Sequence, residues 1–161
     1  MAVFIIKQRV SLLDRFTIKD EQGNDCYQVE GKMGILKNLY LKDMNGSVLA
    51  HIKGKWAMKT TFHVFQDGVL NAVVRQEFAL MKKKLTVEGP NWIITGNWWD
   101  TQYDIGDMDG GFHAHISKEP LALMSTYRID IQPGQPEILM LAVVLAIDCV
   151  ISFQRAAYLS S

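Results

Sequence analysis

The chain has 161 residues, 48% of them hydrophobic, and its 17 basic and 17 acidic residues give a formal net charge of zero. The length suits one domain, the hydrophobic fraction excludes a disordered chain, and the balanced charge argues against a nucleic-acid partner. Cys26 and Cys149 are too far apart in sequence for a metal motif and indicate a reducing compartment. The short N-terminal apolar run is no signal peptide, because its charges follow it. We expect one cytoplasmic domain over 1–161.

The first predicted strand, Val3–Val10, is rich in Val, Ile and Phe, and a repeat follows it. Phe16–Asp20 and Asp25–Lys32 are matched, 23 residues later, by Leu39–Asp43 and Ser47–Lys55. Each pair alternates apolar and polar residues around a turn that contains Gly, which is typical of a β-hairpin. The chain therefore begins with one strand and two similar hairpins.

Three weaker copies of this hairpin follow, each with a turn rich in Gly, Asp or Asn. Their predicted strands are Phe62–Phe65 with Leu70–Gln76, Leu85–Val87 with Trp92–Gly96, and Tyr103–Ile105 with Phe112–Ser117, and Tyr127–Ile131 is a last single strand. The total is twelve strands. No other part of the chain can cover so large a sheet, so closure into a barrel is the expected way to remove its edges.

The most apolar stretch is Ile138–Ile147, which contains no polar residue. Pro136 and the acidic Glu137 mark a helix start, and we predict a helix over about 136–151. The stretch from Ile138 to Ile151, which includes Asp148, makes about 21 Å of helix and is too short to span a bilayer comfortably. Because all its faces are apolar, this helix is predicted to fill the barrel. A buried Asp148 then requires a polar partner, such as backbone amides or Arg128, and a polar ligand cavity is the alternative.

The order of motifs resembles the LURP-one-related family, within the tubby-like and phospholipid scramblase-like group. The resemblance is carried by Phe4–Gln8, Phe16–Asp20 with Val29–Lys32, Asn91–Gly96, Ile116–Lys118 and Leu141–Asp148. It implies a mainly β fold, a closed twelve-stranded antiparallel barrel around a hydrophobic C-terminal helix, like the tubby C-terminal domain. Tubby relatives bind phosphoinositide headgroups and scramblase relatives act at membranes. The resemblance assigns neither activity to this chain, because function depends on sites rather than folds.

Basic clusters are the main candidate binding residues. We predict an anionic-lipid or phosphate site among Lys53, Lys55 and Lys82–Lys84, with Lys59 nearby in sequence. Its partner would be a phospholipid headgroup at a membrane periphery. The alternative is that these lysines are ordinary solvated strand and turn positions. In that case the chain is a structural or interaction domain that binds a protein or a small molecule.

Other polar groups have structural explanations as well as functional ones. His113 and His115 share one strand face, and His51 holds the matching place in another hairpin, but no third metal ligand is evident. The acidic turns 20–25 and 107–111 suggest calcium, an ion associated with scramblase-like relatives, yet they lack the EF-hand spacing and suit hairpin turns.

Trp98 and Trp99 suit a ligand platform, a membrane-interface anchor or barrel packing. No nucleophile elbow, phosphate loop or metalloprotease helix is present in the sequence. We therefore expect a non-enzymatic protein without a cofactor, a metal site or a transmembrane segment.

Overall fold

Twelve strands and one helix make up the computed structural model, which describes residues 1–9, 15–32, 38–55, 61–79, 82–98, 102–120 and 124–159. The strands are β1 (Ala2–Arg9), β2 (Phe16–Asp20), β3 (Asp25–Lys32), β4 (Asn38–Lys42), β5 (Val48–Lys55), β6 (Thr61–Gln66), β7 (Val69–Ala79), β8 (Lys82–Glu88), β9 (Trp92–Asn97), β10 (Gln102–Asp107), β11 (Phe112–Pro120) and β12 (Met124–Ile131). The helix α1 is Glu137–Leu159. The predicted strand number and order are confirmed, with β2 and β3 at their predicted bounds.

Every strand is antiparallel to its neighbours in sequence, and β1 also pairs with β12 from Ala2↔Ile131 to Arg9↔Met124. The sheet is therefore a closed barrel, as predicted. Closure leaves no free strand edge, which is how a β protein avoids pairing with other chains. Irregular pairing interrupts four of the five hairpins just before their turns, at Ile18/Lys19, Leu41/Lys42, Val64/Phe65 and Ile105/Gly106.

The core lies between the inner faces of the strands and α1. Alternate strand residues such as Ile18, Ile52 and Ile116 are fully buried, because side chains in a strand point to opposite faces in turn. All residues from Met140 to Ile151 on α1 are buried. Burying one Val, Leu or Ile side chain contributes roughly 1.5–3 kcal/mol. The helix therefore fills the barrel, and it is a main source of the stability of the fold.

The end of α1 differs from the sequence prediction. The helix continues to Leu159, eight residues past the predicted end at Ile151. Ser152, Gln154 and Arg155 end the apolar run but not the helix, because Gln and Arg favour helices and no Gly or Pro follows to stop it. The loss of hydrophobicity was therefore the wrong signal for the helix end.

The two ends of the barrel differ in their connections. The turns 21–24, 43–47, 67–68, 89–91 and 108–111 and the link 132–136 all lie at one end, because successive strands run in opposite directions. We call this the turn end, and α1 starts there. The opposite end, which we call the far end, carries the other ends of the strands, including Lys32, Lys55 and Asn38.

Candidate functional site

The outer wall of β3–β6 carries a group of basic and aromatic side chains. Strand alternation turns Ala50 and Ile52 inward, so His51, Lys53 and Lys55 of β5 point outward. Their cross-strand neighbours on β3, β4 and β6 are also polar or aromatic. We call this surface the basic–aromatic face, and it consists of Lys32, Tyr40, His51, Lys53, Lys55, His63 and Phe65.

A row of rings crosses this face. Tyr40 and Phe65 lie directly opposite His51 on its two neighbouring strands. The rings of Tyr40 and His51 stack with centroids 4.4 Å apart and 7° between their planes, and the Phe65 ring lies 6.1 Å from His51. The His51 Nε2 atom is 2.9 Å from Asn38 Oδ1. These contacts fix the rings against the sheet as a rigid apolar surface with polar edges.

Three lysines surround the row of rings. The Lys32 ammonium lies 5.0 Å from the centroid of the Tyr40 ring, a cation–π contact. Lys53 is half-buried and Lys55 is exposed. Among the described residues, neither Lys53 nor Lys55 takes part in an ion pair, whereas Arg75 on β7 lies 3.2 Å from Glu88. Lys53 and Lys55 are therefore positive charges available to an anion.

The two histidines of the face respond to these lysines. Burial and the positive charges of Lys53 and Lys32 lower the pKa of His51 below its usual value. Burial and the charges of Lys55 and Arg75 likewise lower the pKa of His63, although Glu88 opposes part of this effect. For both histidines, burial is the larger cause of the lowered pKa, and the nearby positive charges add to it.

A shallow groove of about 420 Å³ runs along this face between β5 and β6. Lys53, His51 and Phe65 line it toward the far end, and Val48, Asp67 and Gly68 line it toward the turn end. Its volume lies in the range of small-molecule sites, but it is open on one side. The groove connects a positive region with an apolar and acidic one.

The lysine cluster on β8 is separate from this face. Only Lys84 has a described side chain, which is exposed, while Lys82 and Lys83 are described as backbone alone. Strand β8 is three strands away from β5, or about 14 Å along the barrel wall. The predicted site therefore divides in two, with Lys53 and Lys55 on one part of the wall and Lys82–Lys84 on another. Lys59 lies outside the described residues.

The zero net charge conceals a separation along the barrel axis. The turn segments 19–25, 42–48, 66–70, 88–92, 106–112 and 130–137 contain ten acidic and two basic residues. The rest of the chain contains seven acidic and fifteen basic residues. Both basic residues of the turn segments are paired, Lys19 with Asp25 at 2.5 Å and Lys42 with Glu30 at 2.6 Å. The turn segments therefore carry an excess of acidic residues, part of which is paired, because Arg128 binds Glu21 and Asp130 and Arg75 binds Glu88.

The carboxylates of the acidic turns form hydrogen bonds with backbone N–H groups of the same turns. In three hairpins one carboxylate oxygen accepts two hydrogen bonds from backbone N–H groups, at distances of 2.7–3.0 Å. The acceptors are Asp20, Asp43 and Asp107, and the donors lie two and four residues further along the chain. Gly23, Gly46 and Gly110 supply the positive φ that each turn needs. Within the described residues, no three His, Cys, Asp or Glu side chains form a potential metal cluster. These aspartates therefore act as turn residues.

His113 and His115 each face a carboxylate across the β10–β11 hairpin. His113 Nε2 is 3.3 Å from Asp107 Oδ2, and His115 Nδ1 is 2.5 Å from Asp104 Oδ1. His51 lies far around the wall on β5, so the barrel does not bring it to this pair. His113 and His115 thus share one face of β11, as predicted, and His51, which holds the matching place in another hairpin, is separate from them.

Asp148 is buried, and its partner is a tyrosine rather than the arginine proposed from the sequence. The Tyr127 hydroxyl donates a hydrogen bond to Asp148 Oδ1 inside the barrel. Arg128 points outward because it neighbours Tyr127 on β12, and it pairs with Asp130 and Glu21. Burial and then the charge of Asp148 raise the pKa of Tyr103 well above its usual value. A second tyrosine, Tyr27, donates to Glu137 at the start of α1.

The remaining candidates are structural. The Trp98 ring is buried and belongs to the hydrophobic core, and Trp99 lies outside the described residues. Cys149 is buried and Cys26 is half-buried, and both are free thiols. Burial is the main cause that raises the Cys26 pKa, so the reactive thiolate form is disfavoured. In the part of the chain that the structure describes, no helix has the length and hydropathy of a membrane span.

Sequence reasoning missed the aromatic members of the face. Tyr40 and Phe65 occupy outward positions of their strands, a signal present in the alternation of apolar and polar residues. Their proximity to His51 depends on the register of β5 with β4 and with β6, which the sequence of either strand alone does not give. Lys32 was passed over because it ends a repeated motif and belongs to no lysine cluster.

A closed twelve-stranded antiparallel barrel around one hydrophobic helix defines the class of this protein. The model of the family described as LURP-one-related matches residues 2–148, and the chain belongs to that family. It is 23% identical over 151 residues to the uncharacterized protein YxjI of Bacillus subtilis (strain 168), covering 92% of this chain and 93% of the relative. The X-ray structure of a protein from Arabidopsis thaliana has a similar fold, with a TM-score of 0.63, 16% identity and coverage of 92% of this chain and 91% of that chain.

Proposed function

We propose that this protein is a non-enzymatic, peripheral membrane-surface protein that binds anionic phospholipid headgroups through its basic–aromatic face. The observation that carries the proposal is that Lys53 and Lys55 have no ion pair among the described residues and lie beside a rigid row of rings. Phosphate oxygens accept charge-assisted hydrogen bonds from ammonium groups, and such bonds are the stronger ones. The face thus offers donors for phosphate and rings for the interfacial region of a bilayer.

The expected affinity is moderate. A lysine near an anionic membrane surface contributes about 1 kcal/mol. Lys32, Lys53 and Lys55 together would then strengthen binding by about 3 kcal/mol, or roughly 100-fold over a neutral surface. The acidic turn end would be repelled by the same membrane, so the charge separation would orient the barrel. We place the protein on the cytoplasmic side, and we assign no catalytic step to the face.

Vesicle flotation tests the proposal. The protein is expected to float with phosphatidylcholine vesicles that contain phosphatidylserine or a phosphoinositide and to stay unbound with phosphatidylcholine alone. Salt at about 1 M shortens the Debye length to about 3 Å and should release it. A protein that ignores anionic vesicles at low salt, or binds both vesicle types equally, contradicts headgroup binding.

Matched substitutions locate the surface. Lys53→Gln with Lys55→Gln should weaken binding to anionic vesicles about 25-fold, because each removed charge costs about 1 kcal/mol. Lys7→Gln with Lys84→Gln is the control, since it removes two exposed charges from other strands. Equal weakening by both pairs would mean that binding follows total charge and not this face. A larger loss from the control pair would move the site away from the basic–aromatic face, to β1 or β8.

A further inference from the structure

Exposed apolar side chains are concentrated at one end of the molecule. Among the described residues, every large hydrophobic side chain that is exposed lies in a turn or at a strand terminus of the turn end: Met1, Met44, Val48, Val69, Leu70, Met108 and Phe112. Single exposed apolar residues scattered over a surface need no explanation, whereas apolar residues gathered with a polar surround mark interaction sites. Since none of the seven lies at the far end, the turn end is the surface to examine for a partner.

Two adjacent hairpins bring part of this set together. Leu70 lies directly opposite Phe65 across β6–β7, and Val48 lines the same groove as Phe65 and Asp67. Val69, the neighbour of Leu70, pairs with Gln66, points to the opposite face of the hairpin and is 60% exposed, and Val48 is 50% exposed. We call these residues the hairpin patch, and it consists of Val48, Phe65, Asp67, Val69 and Leu70.

The part of the hairpin patch nearest the turns is acidic, whereas Lys53 lines the other end of the same groove. The sequence contains no Lys or Arg over 43–52 or 64–74, and Asp43 and Asp67 lie in the two turns. The nearest lysine before the first turn, Lys42, is held by Glu30 at 2.6 Å. A partner must therefore supply apolar groups for Val48, Val69 and Leu70 and positive charge for the turns. An anionic membrane has apolar groups, but its negative charge would repel Asp43 and Asp67.

We propose that the hairpin patch binds a segment of a partner protein that carries apolar and basic side chains. Apolar side chains of the segment pack on Leu70, Val69 and Val48, and its basic side chains lie near Asp67 and Asp43. Charge of opposite sign steers association, and burial of a few apolar side chains supplies the affinity. The patch shares Phe65 with the basic–aromatic face, and Lys53 lines the same groove, whereas Lys55 lies at the far end of the barrel.

Peptide binding tests this inference. The probes are two fluorescent amphipathic helical peptides of equal length, one built of Leu and Lys and the other of Leu and Glu, measured by anisotropy with the full chain. The Leu/Lys peptide is expected to bind at least about tenfold more tightly. Val69→Ser with Leu70→Ser should weaken it by about tenfold, because one buried leucine side chain is worth at least that factor. Both side chains are exposed, so the melting temperature should stay unchanged.

The control pair is Met108→Ser with Phe112→Ser, which removes exposed apolar groups from the β10–β11 hairpin at the same end. It is expected to leave peptide binding unchanged. Equal binding of both peptides, or equal weakening by the two variant pairs, overturns the proposal. So does a wild-type protein that self-associates in sedimentation while the Val69→Ser/Leu70→Ser variant stays monomeric, because the patch then joins two copies of this chain. Unchanged binding of the Leu/Lys peptide by the Val69→Ser/Leu70→Ser variant also overturns it, because the peptide then binds elsewhere.

Discussion

The two faces of the same strand wall follow different rules. On β5, Ile52 is 1% exposed and packs in the core, while its neighbours His51 and Lys53 lie on the outer wall. Inside, burial requires apolar residues at almost every position, so stability decides the sequence. On the outer wall no such requirement exists, yet basic, aromatic and acidic side chains lie in separate regions of the surface. The inner wall therefore maintains the fold, whereas residues of the outer wall are free to form a functional surface. Substitutions on the two walls should consequently have different effects.

The largest difference is expected from a charge placed on either side of the wall. Leu141→Asp puts a carboxylate among fully buried residues, which costs several kcal/mol against a total stability of about 5–15 kcal/mol. This variant should not fold cooperatively. Leu70→Asp makes the same change at a side chain that is 45% exposed and should change the free energy of unfolding by no more than about 0.5 kcal/mol. Denaturant melts followed by circular dichroism measure both, and an unchanged melt for Leu141→Asp would refute the buried helix.

Removing one hydroxyl should give the next largest effect. Tyr127→Phe deletes the donor that binds the buried Asp148 carboxylate, and loss of a hydrogen bond to a buried charged group costs about 2–3 kcal/mol. The control is Tyr40→Phe on the outer wall, where the ring contacts remain and no comparable loss is expected. Equal stability of the two variants in urea melts would show that Asp148 does not depend on Tyr127.

A turn aspartate should matter less. Asp43→Ala removes an oxygen that accepts the Asn45 and Ser47 backbone N–H groups, both at 2.9 Å, and should lower stability by about 1 kcal/mol. Asp109→Ala removes an exposed carboxylate from another turn and should be nearly neutral. If thermal melts show the same change for both, the loss of stability comes from charge and not from the turn hydrogen bonds.

The smallest effect concerns pH. The pKa values of His51 and His63 are lowered on folding, so the unfolded chain binds more protons as pH falls through the ordinary histidine pKa of about 6.5. Their contribution therefore lowers stability between about pH 7 and 5. His51→Gln with His63→Gln should make the stability profile flatter in this window. A steeper profile would mean that folding does not lower the pKa values of these two histidines.

The strands and their buried residues could be predicted from sequence, because the alternation of apolar and polar residues is a local pattern. Alternation and Gly-containing turns located β2 and β3 at their bounds, and the run Ile138–Ile147 located the core of α1. The end of α1 was missed because polarity was used to end a helix that good helix formers continue to Leu159. A repeat in the sequence was sufficient for the fold, since all hairpins obey the same pattern.

The outer wall could be predicted only in part. Lys53 and Lys55 could be identified from their charge. Tyr40 and Phe65 lie on the two neighbouring strands, and their place opposite His51 depends on the register of those strands. The register between strands of different hairpins cannot be read from the pattern of either strand alone. The same limit concealed Tyr127 as the partner of Asp148. The separation of charge was accessible in principle, because nearly every predicted turn contains an acidic residue and the barrel places all of these turns at one end.

The central claim is that anions bind the outer wall of β4–β6 and leave the inner wall and the turn end unaffected. Amide chemical-shift mapping with a soluble inositol phosphate tests it directly, because each described strand reports separately. The predicted result is a set of shifts confined to residues around Tyr40, His51, Lys53 and His63, with none in α1 from Met140 to Ile151. Shifts centred on β8, shifts spread over the turn end, or no shifts at low salt would contradict the claim.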